Sequence, residues 1–398
     1  MDNYSEFYDV LSRAFGGDTT SATLQRNIDR YFEKYNGLQI EGFPFRDEML
    51  LDFLYEQFEQ EFGVQVMANI YDKDSPALPI STEGAKSHTG KIPRMKMVEY
   101  MDEDKVRMMA LAEQLSGKVD ADAAWKKWFV TTENLIMGHA NRLRWMVNQL
   151  RSTGKITLTQ YTNNGVNPTA TELVFANHVP AGNRITIPTN SQKRWWTSTT
   201  RDKDHEGSAC DPIADLQNLI DIQANKGKTG HFEVDKLFFR QVLNHSKILE
   251  VLALNAIPSA SISTAALEQA SASMAFQSFD TKKEILERVL GAPIIVRDEM
   301  AAIEKWDKTE KKIKKTPFRS FADGVISYLP DGNIGETLTV MPIKVGPGTY
   351  GSFYGGKLLL TIGSDPIYKC QTFATEMTSI PVPSAPGDML FLRPCDVA

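Results

Sequence analysis

The sequence lacks the features that mark several common classes of protein. Its three cysteines, Cys210, Cys370 and Cys395, are too few and too scattered for a disulfide framework or a zinc knuckle. It contains no apolar run of about eighteen residues that could cross a bilayer, and its N-terminus is acidic, unlike a signal peptide. The net charge is -6, without long blocks of like charge. We therefore expect a protein made in the cytoplasm, with no membrane partner and no strong hold on nucleic acid by charge alone.

Catalytic motifs are missing as well. The sequence has no Walker loop, no Gly-x-Ser-x-Gly and no His-Glu-x-x-His. Residues 346–351, Gly-Pro-Gly-Thr-Tyr-Gly, formally match the dinucleotide-binding glycine pattern, but a strand rather than a helix is predicted to follow them. We interpret this stretch as a loop between strands. The sequence predicts no catalytic residue, no cofactor and no enzyme.

One acidic cluster could bind a metal, and a metal-dependent α/β enzyme is therefore kept as an alternative. The spacings within it fit no zinc or calcium template, and turn-forming residues surround it, which favours a solvated loop. Its members are Asp202, Asp204, His205, Glu206, Cys210 and Asp211. The lysine-rich stretch 311–315 follows three acidic residues and suits a solvated helix end. His139 and His245 lie near apolar helix faces, which is typical of packed histidines.

The longest helical pattern in the chain is predicted at about 119–153. Apolar residues such as Leu135, Leu143 and Leu150 recur at a spacing of three or four, and no proline interrupts them. Gly154 ends the pattern directly before a strand that begins at Ile156. A helix of about thirty residues spans roughly 45 Å, longer than most globular domains need. We expect the rest of the chain to be arranged around it.

Before this helix, residues 1–62 are predicted to form three amphipathic helices, the third running from Asp47 to Phe62. They suit either an arm that another surface covers or a small subdomain packed on its own chain. Residues 64–71 and 91–98 then alternate as two strands. The connection between them is polar and rich in proline and glycine, so we expect a long projecting hairpin.

After the helix, strands come first and an α/β pattern follows. Asp211 and Asp235 are predicted to cap helices, the second of which runs through His245 to Leu252, and a buried strand is predicted at 294–296. Strands at 324–329 and 337–340 flank a Pro-Asp-Gly-Asn turn and are predicted to pair as a hairpin. We expect the strands at 368–373 and 389–392 to rejoin the sheet that begins at Ile156. The α/β domain would then be an insertion.

The order of these parts resembles the major capsid proteins of tailed bacteriophages, in particular the lambda-like major capsid protein E family. The resemblance covers the chain from about residue 64 to its end. The stretches that carry it are Gly-Lys-Ile-Pro at 90–93, the helix end at 150–156, the aromatic strand-to-helix step at 232–239, Phe-Ala-Asp-Gly at 321–324, and 384–390.

The resemblance implies an α+β, Hong Kong 97-like capsid fold. Its parts would be a helical N-terminal arm at 1–62, an extended β-hairpin loop at 63–101, a peripheral domain at 102–200 and 363–398 that contains the spine helix, and an axial domain at 201–362. It also implies inter-subunit contacts at Phe7, Phe15 and Tyr31 in the arm, at Tyr71, Pro76, Pro79, Lys91, Pro93 and Met97 in the loop, and at Tyr328, Asp331 and Asn333 in a turn.

The function implied is that of a major capsid protein, which self-assembles into the icosahedral shell around the genome of a tailed double-stranded DNA bacteriophage or prophage. Its partners would be itself, as hexamers and pentamers, together with scaffolding, portal and decoration proteins and non-specifically packaged DNA. Its location would be the virion, after synthesis in the host bacterial cytoplasm. An encapsulin-like compartment, which encloses proteins instead of DNA, is the alternative on the same fold.

Overall fold

The structure is a computed structural model, and within the ranges it describes the chain is α+β, as the sequence predicts. It divides into two compact units, the first made of 1–55, 90–144 and 336–382, and the second of 56–89, 145–335 and 383–398. The described residues are 38–60, 85–101, 118–163, 168–176, 179–188, 190–198, 200–205, 207, 209–256, 264–307, 312–344, 349–365 and 370–395.

The helices and strands are numbered separately in chain order. The helices are α1 (Lys118–Thr153), α2 (Pro212–Ala224), α3 (Lys236–Leu243), α4 (Ser246–Ala256), α5 (Thr264–Ala275) and α6 (Phe279–Leu290). The strands are β1 (Leu54–Gln60), β2 (Ala85–Lys91), β3 (Arg94–Met101), β4 (Ile156–Asn163), β5 (Pro168–Ala176), β6 (Arg184–Thr186), β7 (Gly230–Asp235), β8 (Ile294–Arg297), β9 (Met300–Asp307), β10 (Lys312–Arg319), β11 (Ile326–Pro330), β12 (Gly335–Thr339), β13 (Thr349–Phe353), β14 (Leu358–Asp365), β15 (Cys370–Pro383) and β16 (Leu390–Arg393).

The predicted long helix is confirmed as α1, which has 36 residues and therefore spans roughly 54 Å. Gly154 ends it in the left-handed conformation, with φ +68, and its N–H donates to the carbonyl of Leu150 at 2.9 Å. The hydroxyls of Ser152 and Thr153 each donate to a carbonyl of the preceding turn at 2.7 Å. The bond from Gly154 satisfies a carbonyl that a helix end otherwise leaves open, whereas the two hydroxyls donate to carbonyls that lie within the helix.

The second unit is built on a five-stranded sheet in the order β6-β16-β11-β7-β8. The register pairs Phe232 with Tyr328 and Val234 with Ile326, so these apolar side chains share one face, where they join a core with the helices α2, α3, α4 and α6. The alternate residues of β7 point to the opposite face and are polar although buried, Glu233 among them. One face of this sheet is therefore an apolar core and the other a buried polar layer.

The first unit contains a second sheet, in the order β12-β15-β14-β13, with β3 paired to β15. Both β14 and β3 run antiparallel to β15. His139 of α1 is buried and its Nε2 lies 3.0 Å from Oγ1 of Thr375 on β15. Ile136, Ala140 and Leu143 lie on the buried side of the same helix. In this unit the helix thus places an apolar stripe and one histidine in the interior.

The helix predicted from Asp47 to Phe62 is wrong over its described part, because Leu54–Gln60 is the strand β1, paired with β2. Leu54 would lie on the apolar face of that helix, yet it is exposed, whereas Tyr55 is buried. A Cβ at Gly90 would overlap the Tyr55 ring, so a glycine is required where β2 passes that ring. Pairing with a distant strand overrides the helical spacing here. The strand predicted at 64–71, which was expected beside the one at 91–98, lies outside the described residues.

Two predicted strand pairings are also wrong. The strands on either side of the Pro-Asp-Gly-Asn turn do not form a hairpin, since β11 lies between β16 and β7 while β12 pairs with β15. Among the described residues, β4 pairs with β5 alone, and the C-terminal strand β16 pairs with β11 and, in parallel, with β6. Turn chemistry predicts a reversal of the chain, but the buried faces select the partner. The domain boundaries stay predictions.

Two local predictions also differ from the structure. The helix predicted through His245 is two helices, α3 and α4, because Nε2 of His245 lies 2.7 Å from the carbonyl of Trp195 and its Nδ1 accepts from the N–H of Lys247 at 3.2 Å. The lysine-rich stretch expected at a helix end belongs instead, from Lys312 onward, to β10, which pairs antiparallel with β9. Propensity alone does not separate the two states in so polar a stretch.

We predict that Gly154→Ala destabilises the second unit more than Gly291→Ala does. Both glycines have positive φ, but a Cβ at Gly291 meets nothing within 4 Å, whereas one at Gly154 would lie 2.8 Å from the ring of Phe391. Left-handed strain alone costs about 1 kcal/mol, and the added overlap should bring the loss at Gly154 to about 3 kcal/mol. Urea unfolding followed by tryptophan fluorescence measures both. Equal losses would contradict the packing at this helix end.

Candidate functional site

The structure describes half of the residues predicted as inter-subunit contacts. Phe7, Phe15, Tyr31, Tyr71, Pro76 and Pro79 lie outside the described residues. Lys91 is exposed at the end of β2, Pro93 is buried, and Met97 lies against Gly138 of α1 with part of its side chain exposed. The turn residues Asp331 and Asn333 are exposed, whereas Tyr328 is buried with its ring 4.8 Å from that of Phe232. Of the described positions, three belong to the first unit and three to the second, and the role of all twelve stays a prediction.

The first unit carries an exposed apolar surface that the sequence analysis missed. Leu50 and Val340 form a parallel bridge, in which the N–H of Met341 donates to the carbonyl of Leu50 at 2.8 Å. The bridge holds two segments side by side, and their large apolar side chains face solvent. Leu51 is 87% exposed, Leu54 64%, Met341 54% and Ile343 75%. We call these four residues the apolar patch.

The sequence carries only an ambiguous signal for half of this patch. The run from Leu50 to Leu54 places two pairs of adjacent apolar residues within five positions. A wide apolar helix face can also bury adjacent residues, as α1 does with Leu135 and Ile136, so this run does not by itself indicate an exposed surface. Met341 and Ile343 alternate with other residues, a spacing that also occurs in buried strands.

The polar face of the five-stranded sheet holds a buried charge cluster centred on Glu233. Its carboxylate is fully buried, and Oε1 lies 2.5 Å from Nη2 of Arg297, 3.4 Å from Nε2 of His231 and 3.6 Å from Nη1 of Arg151. His231 in turn lies with Nδ1 3.2 Å from Oδ1 of the exposed Asp331. We call these five residues the Glu233 cluster. Two arginines and a histidine thus surround one carboxylate.

The cluster shifts the pKa values of Glu233 and His231 in directions that keep both side chains charged. Burial alone would raise the pKa of Glu233, but the hydrogen bond with His231 and the charges of Arg151 and Arg297 outweigh it and hold that pKa at about 2. Burial opposes the charged form of His231 too, yet hydrogen bonds with Glu233 and Asp331 and their negative charges raise its pKa overall. The cluster is thus an ion network rather than a set of neutral groups.

The same side of the sheet receives the end of α1. Besides Arg151 in the Glu233 cluster, Nδ2 of Asn148 donates to Oε2 of Glu299 at 2.5 Å and to Oγ of Ser320 at 2.7 Å. The ring of Trp145 meets Phe318 edge-on at 6.2 Å. Glu299 and Ser320 flank the β9–β10 ribbon. The charged and polar residues of this region therefore hold the helix end to the sheet and the ribbon.

The residues of the predicted acidic cluster serve separate local contacts. Oδ2 of Asp204 accepts from the N–H of Ser246 at 2.8 Å, and Oδ1 of Asp211 caps α2 by accepting from Ala214 at 3.0 Å. Cys210 is buried, and burial raises the pKa of its thiol to about 11. In the described part of the chain, which omits Glu206, no three such side chains are placed to hold a metal ion.

Three further sequence observations can be compared with the structure. In the glycine-rich stretch at 346–351, Thr349, Tyr350 and Gly351 belong to the strand β13 rather than to the predicted loop, and residues 345–348 lie outside the described ranges. The described part of the stretch therefore begins a strand and not the helix that a dinucleotide-binding loop needs. Within those ranges, no helix combines the length and apolar character that a bilayer crossing demands. His139 and His245 are both buried in their units, as the prediction of packed histidines expects.

No protein-family model and no curated protein matches this chain. Solved structures similar to it include a phage-related protein from Bordetella bronchiseptica RB50, with 10% identity, a TM-score of 0.43, and 88% of this chain and 90% of that chain covered. A protein described as the capsid protein of a prophage in E. coli CFT073 has 14% identity and a TM-score of 0.42, over 78% and 80% of the two chains. The capsid of cyanophage P-SCSP1u gives 9% identity and a TM-score of 0.44, over 90% and 88%.

The first is described as phage-related, the second as a capsid protein and the third as a capsid structure, and all three TM-scores lie below 0.5.

We predict that Glu233→Gln destabilises the second unit by about 3–5 kcal/mol, because it leaves Arg151 and Arg297 buried around a neutral side chain. Asp298→Asn is the matched control. Asp298 also pairs with two cations, Lys236 and Arg319, but at an exposed site, so its removal should change the free energy of unfolding little. Urea unfolding at neutral pH compares the two variants. Similar effects would contradict the importance assigned to burial.

We also predict that two buried histidines give stability opposite pH dependences. The pKa of His231 is raised in the folded state. Its contribution to the free energy of unfolding is therefore complete below the pKa of the unfolded state, about 6.5, and is lost as pH rises through the pKa of the folded state. Burial lowers the pKa of His139 to about 4, so its contribution is complete above about 6.5 and is lost as pH falls towards 4.

The measurement is the urea midpoint of the wild type, His231→Gln and His139→Gln between about pH 5 and pH 8. The advantage of the wild type over His231→Gln should shrink as pH rises. Its advantage over His139→Gln should grow by about 2 kcal/mol over this range, because pH 5 lies about 1.5 units below the unfolded value and still above the folded one. Advantages that change in the same direction would show that the two environments do not act as described.

Proposed function

We propose that this chain is a structural, shell-forming protein. Specifically, it would be the major capsid protein of a tailed double-stranded DNA bacteriophage or prophage, acting by self-assembly rather than catalysis. The observation that carries this proposal is the apolar patch, an exposed surface of Leu51, Leu54, Met341 and Ile343 held by the bridge between Leu50 and Val340. The resemblance of the sequence to capsid proteins gives the kind of assembly, with hexamers and pentamers of the same chain.

The patch suits a protein contact because it concentrates large aliphatic side chains on two adjacent segments. Single exposed apolar residues are common on protein surfaces, but grouped ones mark interfaces. Burying one such side chain contributes about 1.5–3 kcal/mol. Four of them would support a modest contact between two subunits. In a closed shell the same contact repeats around each symmetry axis, so a modest contact is sufficient.

Two long elements supply the reach that a shell subunit needs. The helix α1 spans roughly 54 Å. The strands β1 and β2 pair with each other, while residues 61–84 connect them. A two-stranded ribbon is only marginally stable alone and is usually covered by another surface. A neighbouring subunit would provide that surface for the ribbon.

The charge of the chain suits a container for DNA. Its net charge of -6 opposes strong binding of the genome, which requires basic side chains that replace the counterions of DNA. Packaged DNA would then touch the shell weakly and non-specifically, and could be packed and released. Scaffolding, portal and decoration proteins are the further partners we propose. The protein would be made in the host bacterial cytoplasm and would reside in the virion.

We predict that Leu51→Asp combined with Ile343→Asp abolishes assembly while leaving the subunit folded, because both side chains are already exposed in the isolated chain. The matched control is Phe276→Asp, which alters an apolar residue that is 91% exposed in the second unit. The wild type and the control should form closed shells or rings of five and six, alone or co-expressed with their genomic neighbours. Electron microscopy and sedimentation distinguish these from monomers.

Normal particles from the double variant would exclude the apolar patch as an assembly contact. A wild type that stays monomeric or dimeric under every condition would exclude the shell function itself. Circular dichroism on each protein establishes that a loss of particles does not reflect unfolding.

A further inference from the structure

A small pocket opens in the second unit where three helices meet. Its volume is 210 Å³, and its walls include Arg240, Leu243 and Asn244 at the end of α3, Ala275 at the end of α5, and Phe279 and Lys282 on α6. Pockets for drug-sized ligands measure about 300–1,000 Å³, so this one suits a single small chemical group. Among the described residues, its lining contains two cations and no carboxylate.

Lys282 is a buried cation whose partners among the described residues of this pocket are neutral. Its residue is 4% exposed, and Nζ donates to Oδ1 of Asn244 at 2.7 Å and to the carbonyl of Ala275 at 2.9 Å. An ammonium group has three donors, so these bonds use two of them. Buried lysines are rare unless a carboxylate pairs with them, because removing the charge from water is costly. Burial accordingly lowers the pKa of Lys282.

Arg240 adds a second positive charge to the same pocket. It lies in the last turn of α3, is itself exposed, and lines the pocket together with Lys282. A guanidinium presents its donors in a planar fork that matches the two oxygens of a carboxylate. A partly desolvated ammonium beside an accessible guanidinium therefore attracts an anion, and the planar fork favours a carboxylate.

We propose that this pocket binds one carboxylate group, held by Arg240 at its edge and by the remaining donor of Lys282 inside it. The group comes either from a small free acid or from an acidic side chain of another polypeptide, since both present the same chemistry. The bound carboxylate neutralises a buried charge that the described residues leave without a counter-ion. The site does not depend on the shell function proposed above.

The test measures how acetate changes the thermal unfolding of the full-length protein, with sodium chloride at matched ionic strength as the reference. Acetate should raise the midpoint of the wild type by about 2–4 °C at roughly tenfold excess over its dissociation constant. The rise should be absent in Arg240→Gln and Lys282→Met. It should persist in Lys283→Met, which removes the adjacent lysine, a residue paired with Glu287 on the surface of α6.

Two outcomes would overturn the proposal. One is an equal rise in all four proteins, which would make the acetate effect general. The other is no rise in the wild type, which would leave Lys282 as a residue that only ties together the ends of α3 and α5. Arg240 is exposed, so Arg240→Gln is expected to fold and keeps the test decisive even if Lys282→Met does not.

The peptide N-acetyl-Ala-Glu-Ala-amide distinguishes the two sources of the carboxylate. A peptide that raises the wild-type midpoint at lower concentration than acetate does would assign the pocket to an acidic side chain of a polypeptide. Acetate acting at the lower concentration would assign it to a small free acid.

Discussion

The second unit depends on one buried carboxylate, that of Glu233. A charge with no access to water is tolerated only when counter-charges and hydrogen bonds surround it. Here they come from three different elements: Arg151 from α1, Arg297 from β8 and His231 from β7 itself. The end of α1 and the strand β8 must therefore each occupy one position relative to β7. A purely apolar contact at this place would tolerate sliding, whereas an ion network does not.

The strand β7, which carries Glu233, determines which side chains lie on each face of its sheet. Because side chains alternate along β7, the residues beside Glu233 are Phe232 and Val234, which enter the apolar core with the helices. A shift of one residue would place the carboxylate in that core and the aromatic ring among the arginines. The buried charge thus fixes the register as well as the position of the helix end. The two buried histidines differ in whether their partners outweigh burial. The hydrogen bonds and negative charges of Glu233 and Asp331 outweigh it at His231 and raise its pKa, whereas burial outweighs the hydrogen bond with Thr375 at His139 and lowers its pKa.

The sequence predicts the helix bounds and caps that neighbouring residues determine. The helix α1 begins and ends within one residue of its predicted bounds, because the apolar spacing and Gly154 act over neighbouring positions. Asp211 and Asp235 cap helices as expected, each through its own carboxylate. Strand partners were predicted less well. The turn at 330–333 looks like a hairpin turn, yet β11 and β12 lie in different sheets, because distant strands offer each of them a better buried face. Tyr328 was predicted as an inter-subunit contact, and the structure shows it buried beside Phe232, a strand neighbour that the local sequence does not reveal.

Charge and apolar surface have separate roles in this chain. The buried charges hold elements within a unit, where the cost of desolvation makes a wrong arrangement unstable and so gives specificity. The apolar patch holds nothing within its unit, since its side chains already face water. Burial of these side chains stabilises the protein only when a second surface covers them. The patch carries no charge that would fix one orientation of that surface. The assembly proposed here, in rings of five and of six, would use this division, because the interior would stay constant while the contacts adjust.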